Sequence, residues 1–166
     1  MFSNICRAIA TELIAKGNSV SVAESSTGGL IAANLLSVPG ASHYFKGGSV
    51  VYTRESRRAF LDLDLAKLKR LKPLTEPMVA EFAHAARIKL DATWGIAELG
   101  AAGPKGTPYG HAPGTCVIAI SGPVNASITV ETSLENREQN MFQFTEAALT
   151  LFYNTLMRSL EGSNKA

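Results

Sequence analysis

Cysteine is scarce in this 166-residue chain: only Cys6 and Cys116 occur, far apart and outside any CxxC pair. Their spacing suggests neither a disulfide framework nor a cysteine-based zinc site, and it fits a reducing compartment. An excess of charge of one sign is missing as well. Sixteen Lys plus Arg against fourteen Asp plus Glu leave a net charge of +2, which gives little electrostatic reason to expect nucleic acid or an anionic membrane as partner. No stretch approaches the run of about 18 apolar residues that a membrane span needs, and Met1-Phe2-Ser3-Asn4 lacks the basic start and apolar run of a signal peptide. The expectation is a soluble, cytoplasmic protein. Hydrophobic residues make up 46% and charged residues 18%, enough apolar surface to offset the entropy of ordering the chain, so intrinsic disorder is excluded. The length suits a single domain, taken as residues 1–161 with a polar, frayed tail over 162–166. There is no internal repeat, linker or low-complexity segment.

From Ser3 to Lys16, Ile5, Cys6, Ile9, Ala10, Leu13 and Ile14 recur at helical spacing, with Ser3 or Asn4 placed to cap and Gly17 to terminate. A short valine-rich strand over Ser19 to Ala23 turns through Glu24-Ser25-Ser26-Thr27-Gly28-Gly29 into a buried helix over Leu30 to Leu36, stopped by Pro39-Gly40. A second strand is expected at about Gly48 to Thr53, short surface helices within Arg54 to Arg70, and a helix over about Thr75 to Leu90 with Thr75 as its cap and Pro77 in its first turn. Trp94 to Leu99 is a third strand, followed by a long Gly/Pro loop. Thr115 to Ile120 and Ala126 to Glu131 form an antiparallel hairpin across Ser121-Gly122-Pro123, and Asn136 opens the last helix. Helices alternating with strands predict an α/β fold, a three-layer α/β/α sandwich with a mixed, mostly parallel sheet.

In such a sheet, ligands collect beyond the carboxyl ends of the strands. Three stretches converge there. Glu24 to Gly29 places hydroxyls and backbone N–H groups at a helix N-terminus, suited to a phosphate or a developing oxyanion, or serving only as a polar cap. Tyr52-Thr53-Arg54-Glu55-Ser56-Arg57-Arg58 offers a phenol and three guanidinium groups, or else a solvated helix start. The loop from Gly100 to Gly114 is too long to be a mere connection, and its glycines let backbone approach a ligand closely. His84 is expected on a helix surface and His43 in a loop. His111, in the glycine loop, is the histidine placed to meet a ligand. Cys6 and Cys116 read as small buried apolar residues.

Together AESSTGG at Ala23 to Gly29, GGSVVYTRESR at Gly47 to Arg57, GAAGPKGTP at Gly100 to Pro108 and PGTCVIAI at Pro113 to Ile120 resemble, in order and spacing, the CinA C-terminal domain family. That family includes bacterial nicotinamide-nucleotide amidases. The resemblance spans nearly the whole chain and implies the three-layer domain standing without the molybdopterin-binding-like N-terminal domain that many relatives carry. It further implies a homo-oligomer, a small-molecule nucleotide substrate, and hydrolysis of the carboxamide of nicotinamide mononucleotide to the acid and ammonia, with no metal or other cofactor. By resemblance Ser25 is the nucleophile and Tyr52 the family tyrosine. Glu24, Thr27, Gly28, Gly29, Gly100, Gly103, Gly106, His111 and Arg137 would surround the substrate.

Three positions depart from the family pattern. The family lysine is replaced by Arg57, which stays protonated and cannot act as a general base, though it can hold Tyr52 as a phenolate or pair with a phosphate. Lys46 is the other amine nearby in sequence. The threonine of V-T-G-x-A-G-P is replaced by Leu99 in Glu98-Leu99-Gly100-Ala101-Ala102-Gly103-Pro104, removing a hydroxyl that would bind ligand or orient the serine. A second family arginine after Arg137 is replaced by Met141. The leading expectation is therefore an amidohydrolase. Its alternative is a catalytically silent homologue using the same cleft for binding or acting through protein partners, and a third is hydrolysis of a different amide.

Overall fold

The computed structural model describes residues 1–163. Five strands, β1 (Val20–Glu24), β2 (Phe45–Val50), β3 (Trp94–Ala101), β4 (Thr115–Ser121) and β5 (Ala126–Glu131), form one sheet in the order β2-β1-β3-β4-β5. β1 pairs in parallel with both β2 and β3, whereas β4 runs antiparallel to β3 and to β5. The helices are α1 (Ser3–Lys16), α2 (Leu30–Leu36), α3 (Arg54–Phe60), α4 (Leu65–Leu68), α5 (Glu76–Lys89) and α6 (Arg137–Ser163).

Apolar residues on both faces of the central strands divide the core into two layers. Ile9 and Leu13 of α1, Ile31 and Leu35 of α2, and Phe144 and Phe152 of α6 pack on one face against Val22, Ile96 and Ile118. Trp94 meets Phe152 edge to face at 5.8 Å, a geometry that suits two aromatic quadrupoles. On the other face Val79, Phe82, Ala83 and Ala86 of α5 pack against Ala97, Leu99, Val117 and Ala119. α5 lies so close to β3 that a Cβ on Gly95 would come within 2.8 Å of Arg87 Cβ. The three-layer mixed architecture expected from the sequence is therefore present. No helix among the described residues is long and apolar enough to cross a membrane.

Boundaries shift where pairing overrides local pattern. β2 begins at Phe45, three residues before its expected start, because its register is set by β1, with Phe45 opposite Val20 and Val50 opposite Glu24. β3 runs on to Ala101 because β4 offers partners that far, Ala101 opposite Thr115. α1 is capped at Phe2, not by a Ser3 or Asn4 side chain: Phe2 N–H donates to Asn34 Oδ1 at 2.7 Å, and Asn4 accepts from Arg7. Thr75 occupies the N-cap of α5, yet its hydroxyl donates backwards to Lys72 O. α6 continues through Gly162 to Ser163, into the expected tail; residues 164–166 of that tail lie outside the described residues.

Candidate active site

The carboxyl ends of the three parallel strands converge on the turn from Ser25 to Gly29. Gly28 (φ +65°) and Gly29 (φ +105°) take left-handed backbone there, which L side chains rarely adopt, and this lets the chain reverse directly from β1 into α2. Glu24 ends β1 with its side chain turned inward. Its carboxylate accepts from Ile31 N–H (3.0 Å), Ala32 N–H (2.9 Å) and the Thr27 hydroxyl (2.6 Å), so it caps the first turn of α2.

Beside it in register stands Glu98 of β3, fully buried. Its Oε2 accepts from Ser25 N–H and Thr27 N–H, both at 3.0 Å, and lies 2.9 Å from Thr27 Oγ1. Its Oε1 accepts a short bond from the Ser26 hydroxyl and a weaker one from Cys116 Sγ at 3.8 Å. Burial pushes the Glu98 carboxyl above the ordinary glutamate value, against the lowering pull of these donors. Burial, with Glu98 adjacent, likewise pushes the Cys116 thiol well up.

These contacts sort the polar groups of the turn. The Ser25 and Thr27 N–H groups, expected from the sequence to face a ligand, are committed to Glu98. The Ser26 and Thr27 hydroxyls are committed as well. Among the described residues, the Ser26 and Gly29 N–H groups and the Ser25 hydroxyl have no internal hydrogen-bond partner. Ser25 is 6% exposed, at the lip of the turn.

Tyr52 leaves the sheet next to Ser25, since Val51 N–H donates to Glu24 O at 2.8 Å and both chains then depart from neighbouring parallel strands. A reciprocal capping box between Thr53 and Ser56 starts α3 immediately afterwards, fixing the direction in which Tyr52 and Arg57 point. Tyr52 is 54% exposed. Its hydroxyl accepts from Arg137 Nη2 at 3.2 Å, while Arg137 Nη1 donates to Gly103 O at 2.9 Å. Arg137 thus joins α6, the glycine loop and the end of β2.

Arg57 is placed differently from the expectation that it would hold Tyr52. Its Nε donates to Val51 O at 3.1 Å, and its guanidinium lies 5.3 Å from the centre of the Phe82 ring. Burial lowers its pKa, and the nearby Tyr109 of the glycine loop opposes that shift. Arg57 also lines a cavity of about 630 Å³ with Arg54, Arg58, Lys69, Met78 and Phe82.

The remaining expected residues are distributed as follows. Gly100 packs beneath the turn, where a Cβ would come within 2.9 Å of both Glu98 Oε1 and Phe144. Gly103 supplies the carbonyl for Arg137. Gly106 packs against the His111 backbone, and the His111 ring lies 3.0 Å from Thr107 Oγ1, closing the loop on itself. His111 lines a separate depression of about 300 Å³ with Glu131 and Ser133. Leu99 is buried in the α5-side core with Val79 and Phe82, so the polar contact that reaches the serine turn comes from its neighbour Glu98. Met141 lies over the turn, its Cε 3.2 Å from where a Gly28 Cβ would be. Lys46 donates to Asp91 O at 2.7 Å. The sequence reading passed over Glu98 and Tyr109; the signal for Glu98 was an acid inside an otherwise uncharged strand, Trp94-Gly95-Ile96-Ala97-Glu98-Leu99.

A mixed five-stranded sheet with a serine turn at the end of β1 defines an open α/β domain with its candidate site at the carboxyl ends of the parallel strands. Residues 3–156 match the CinA C-terminal domain family, and the chain belongs to that family. It is 34% identical to a CinA-like protein of Prochlorococcus marinus strain AS9601 over 93% of this chain and 36% of that protein. It is also 34% identical to one from Shewanella sp. strain ANA-3 over 95% and 36%. The chain thus spans about a third of the length of these relatives. Among solved structures, a CinA superfamily protein from Escherichia coli superposes with a TM-score of 0.84 at 25% identity, covering 96% of this chain and 90% of that one. The competence/damage-inducible protein CihA from Agrobacterium tumefaciens superposes at 0.83 with 26% identity, covering 91% and 93%.

Proposed function

We propose that this domain hydrolyses the carboxamide of nicotinamide mononucleotide, with Ser25 as the nucleophile. The observation that carries the reading is the uncommitted Ser25 hydroxyl: its two neighbours in the turn, Ser26 and Thr27, spend theirs on buried carboxyls. The Ser25 oxygen would attack the carboxamide carbon as its proton passes to a base, giving a tetrahedral oxyanion. The base would return that proton to the amide nitrogen, so that collapse releases ammonia and leaves an acyl-serine; water, giving up a proton to the base, would then attack the acyl carbon, and the proton would pass to the serine oxygen as the acid departs.

Tyr52 follows the strand that pairs with β1 beside Ser25 and is the residue that would accept the serine proton, its hydroxyl held by a bond from Arg137 Nη2. The Ser26 and Gly29 N–H groups are the turn's remaining donors for an oxyanion. The cavity beside α3, lined by Arg54, Arg57, Arg58 and Lys69 together with Asp62, carries an excess of positive charge that suits a nucleotide phosphate. Incubating the protein with nicotinamide mononucleotide and assaying ammonia tests the reading; ammonia release above an enzyme-free control supports it.

A second reading, a binding domain without hydrolysis, is favoured by Arg57. Its contacts to Val51 O and Phe82 are those of a packed side chain, and a guanidinium does not accept a proton from serine. Nucleotide binding with no ammonia release would select it.

A further inference from the structure

Glu24 and Glu98 are neighbours in register on β1 and β3, and both carboxyls are buried. Among the described residues no lysine, arginine or histidine touches either of them, and the ion pairs are Lys67 with Glu81 and Lys89 with Asp62. The groups facing the pair are the Ser26 and Thr27 hydroxyls from the turn, Cys116 from β4 and backbone N–H groups from the turn and α2. Thr27 Oγ1 lies 2.6 Å from Glu24 Oε2 and 2.9 Å from Glu98 Oε2. A hydroxyl carries one hydrogen and donates it once. One hydrogen shared between two carboxyl oxygens serves each of them poorly, and a carboxyl proton on the second contact completes it without setting two unprotonated oxygens lone pair to lone pair. Two carboxylates this close in a buried, cation-free site do not both ionise readily.

We propose that Glu98 is a positioning residue that works in its acid form, its own proton completing the contact to Thr27 Oγ1 and thereby fixing the turn that carries Ser25. Loss of that proton places a second unpaired charge under the turn and sets Glu98 Oε2 lone pair to lone pair against Thr27 Oγ1, 2.9 Å away, displacing Thr27 even though its own N–H and that of Ser25 bind a charged oxygen more strongly. The catalytic consequence rests on the Ser25 reading. The proton itself does not.

Carbon-13 NMR of the whole chain labelled at glutamate side-chain carboxyls tests the proton directly, the Glu98 signal being assigned by its disappearance in Glu98→Gln. At pH 7 the signal is expected at a protonated-carboxyl position, and a carboxylate position overturns the proposal whether or not any amide is hydrolysed. Unfolding measured against pH gives the second arm. A carboxyl held above the ordinary value of 4.5 binds its proton more tightly in the folded state, so native stability falls as pH rises from that value through the raised one. Glu98→Gln, which keeps an acceptor for Ser25 N–H but cannot ionise, is expected to lose that fall. An identical fall in native protein and Glu98→Gln overturns the proposal. Where turnover is measurable, Glu98→Gln is expected to retain it within a fewfold and shift its alkaline limb upward; an unmoved limb contradicts the positioning role. If Glu98→Gln does not fold, native protein alone decides: Glu24 and Glu98 are the buried glutamates among the described residues, so a protonated-carboxyl signal at pH 7 comes from that pair, and the absence of any such signal overturns the proposal.

Discussion

Arg137 at the start of α6 donates to the hydroxyl of Tyr52 at the end of β2, 85 residues away in sequence, and to the carbonyl of Gly103 between them. One guanidinium therefore holds three separate segments at the mouth of the serine turn. Sequence resemblance places Arg137 among the residues around the substrate. In the structure its guanidinium donates to the Tyr52 hydroxyl, a contact that fixes where that phenol sits.

Replacing Arg137 by alanine removes a charge-assisted bond to Tyr52 and releases the glycine loop. Turnover on nicotinamide mononucleotide is expected to fall by about tenfold or more, with kcat affected at least as much as KM. Arg137→Lys should recover part of the loss, since one amine reaches one partner where the guanidinium reaches two. A rise in KM alone, with kcat unchanged, would return Arg137 to substrate binding.

Gly100 is fixed by close packing under the turn. A methyl group there would press on Glu98 Oε1 and the Phe144 ring, neither free to retreat within a buried cluster. Gly100→Ala is expected to cost about 1–3 kcal/mol of stability, seen in thermal unfolding as a fall in Tm of several degrees. An unchanged Tm would mean that the turn is looser than its hydrogen bonds indicate.

Leu99 gives a sharper test of which side of β3 matters. Its side chain is buried among Val79, Phe82 and Val117, so Leu99→Thr leaves a hydroxyl in an apolar layer and should lower stability by about 1–3 kcal/mol. Added to Arg57→Lys, which restores the family amine, it is expected to bring no further turnover. A double variant clearly more active than Arg57→Lys alone would show that the hydroxyl at this position reaches the site.

Much of the fold was legible because its cues are local. The helical spacing of Ile5, Cys6, Ile9 and Leu13 marks α1, and Pro77 after Thr75 marks the start of α5. The hairpin of β4 and β5 followed from two apolar runs around Ser121-Gly122-Pro123. β2 was misplaced because Phe45 to Val50 carries two glycines and little alternation, and its extent comes from pairing with β1. At the site, Ser25, Tyr52 and the loop glycines were found through motif spacing. Which donors they spend internally was not legible, because Glu98 reaches the turn from more than seventy residues away and no local pattern announces that contact. The same distance concealed the bond from Arg137 to Tyr52.

The most direct test of the account compares native protein with Ser25→Ala for ammonia released from nicotinamide mononucleotide. Ser25 Oγ has no internal partner among the described residues, so alanine there should leave the fold and Tm nearly unchanged. The account predicts steady ammonia release by native protein and none above background by Ser25→Ala, with nucleotide still bound. Equal release by both proteins would contradict it.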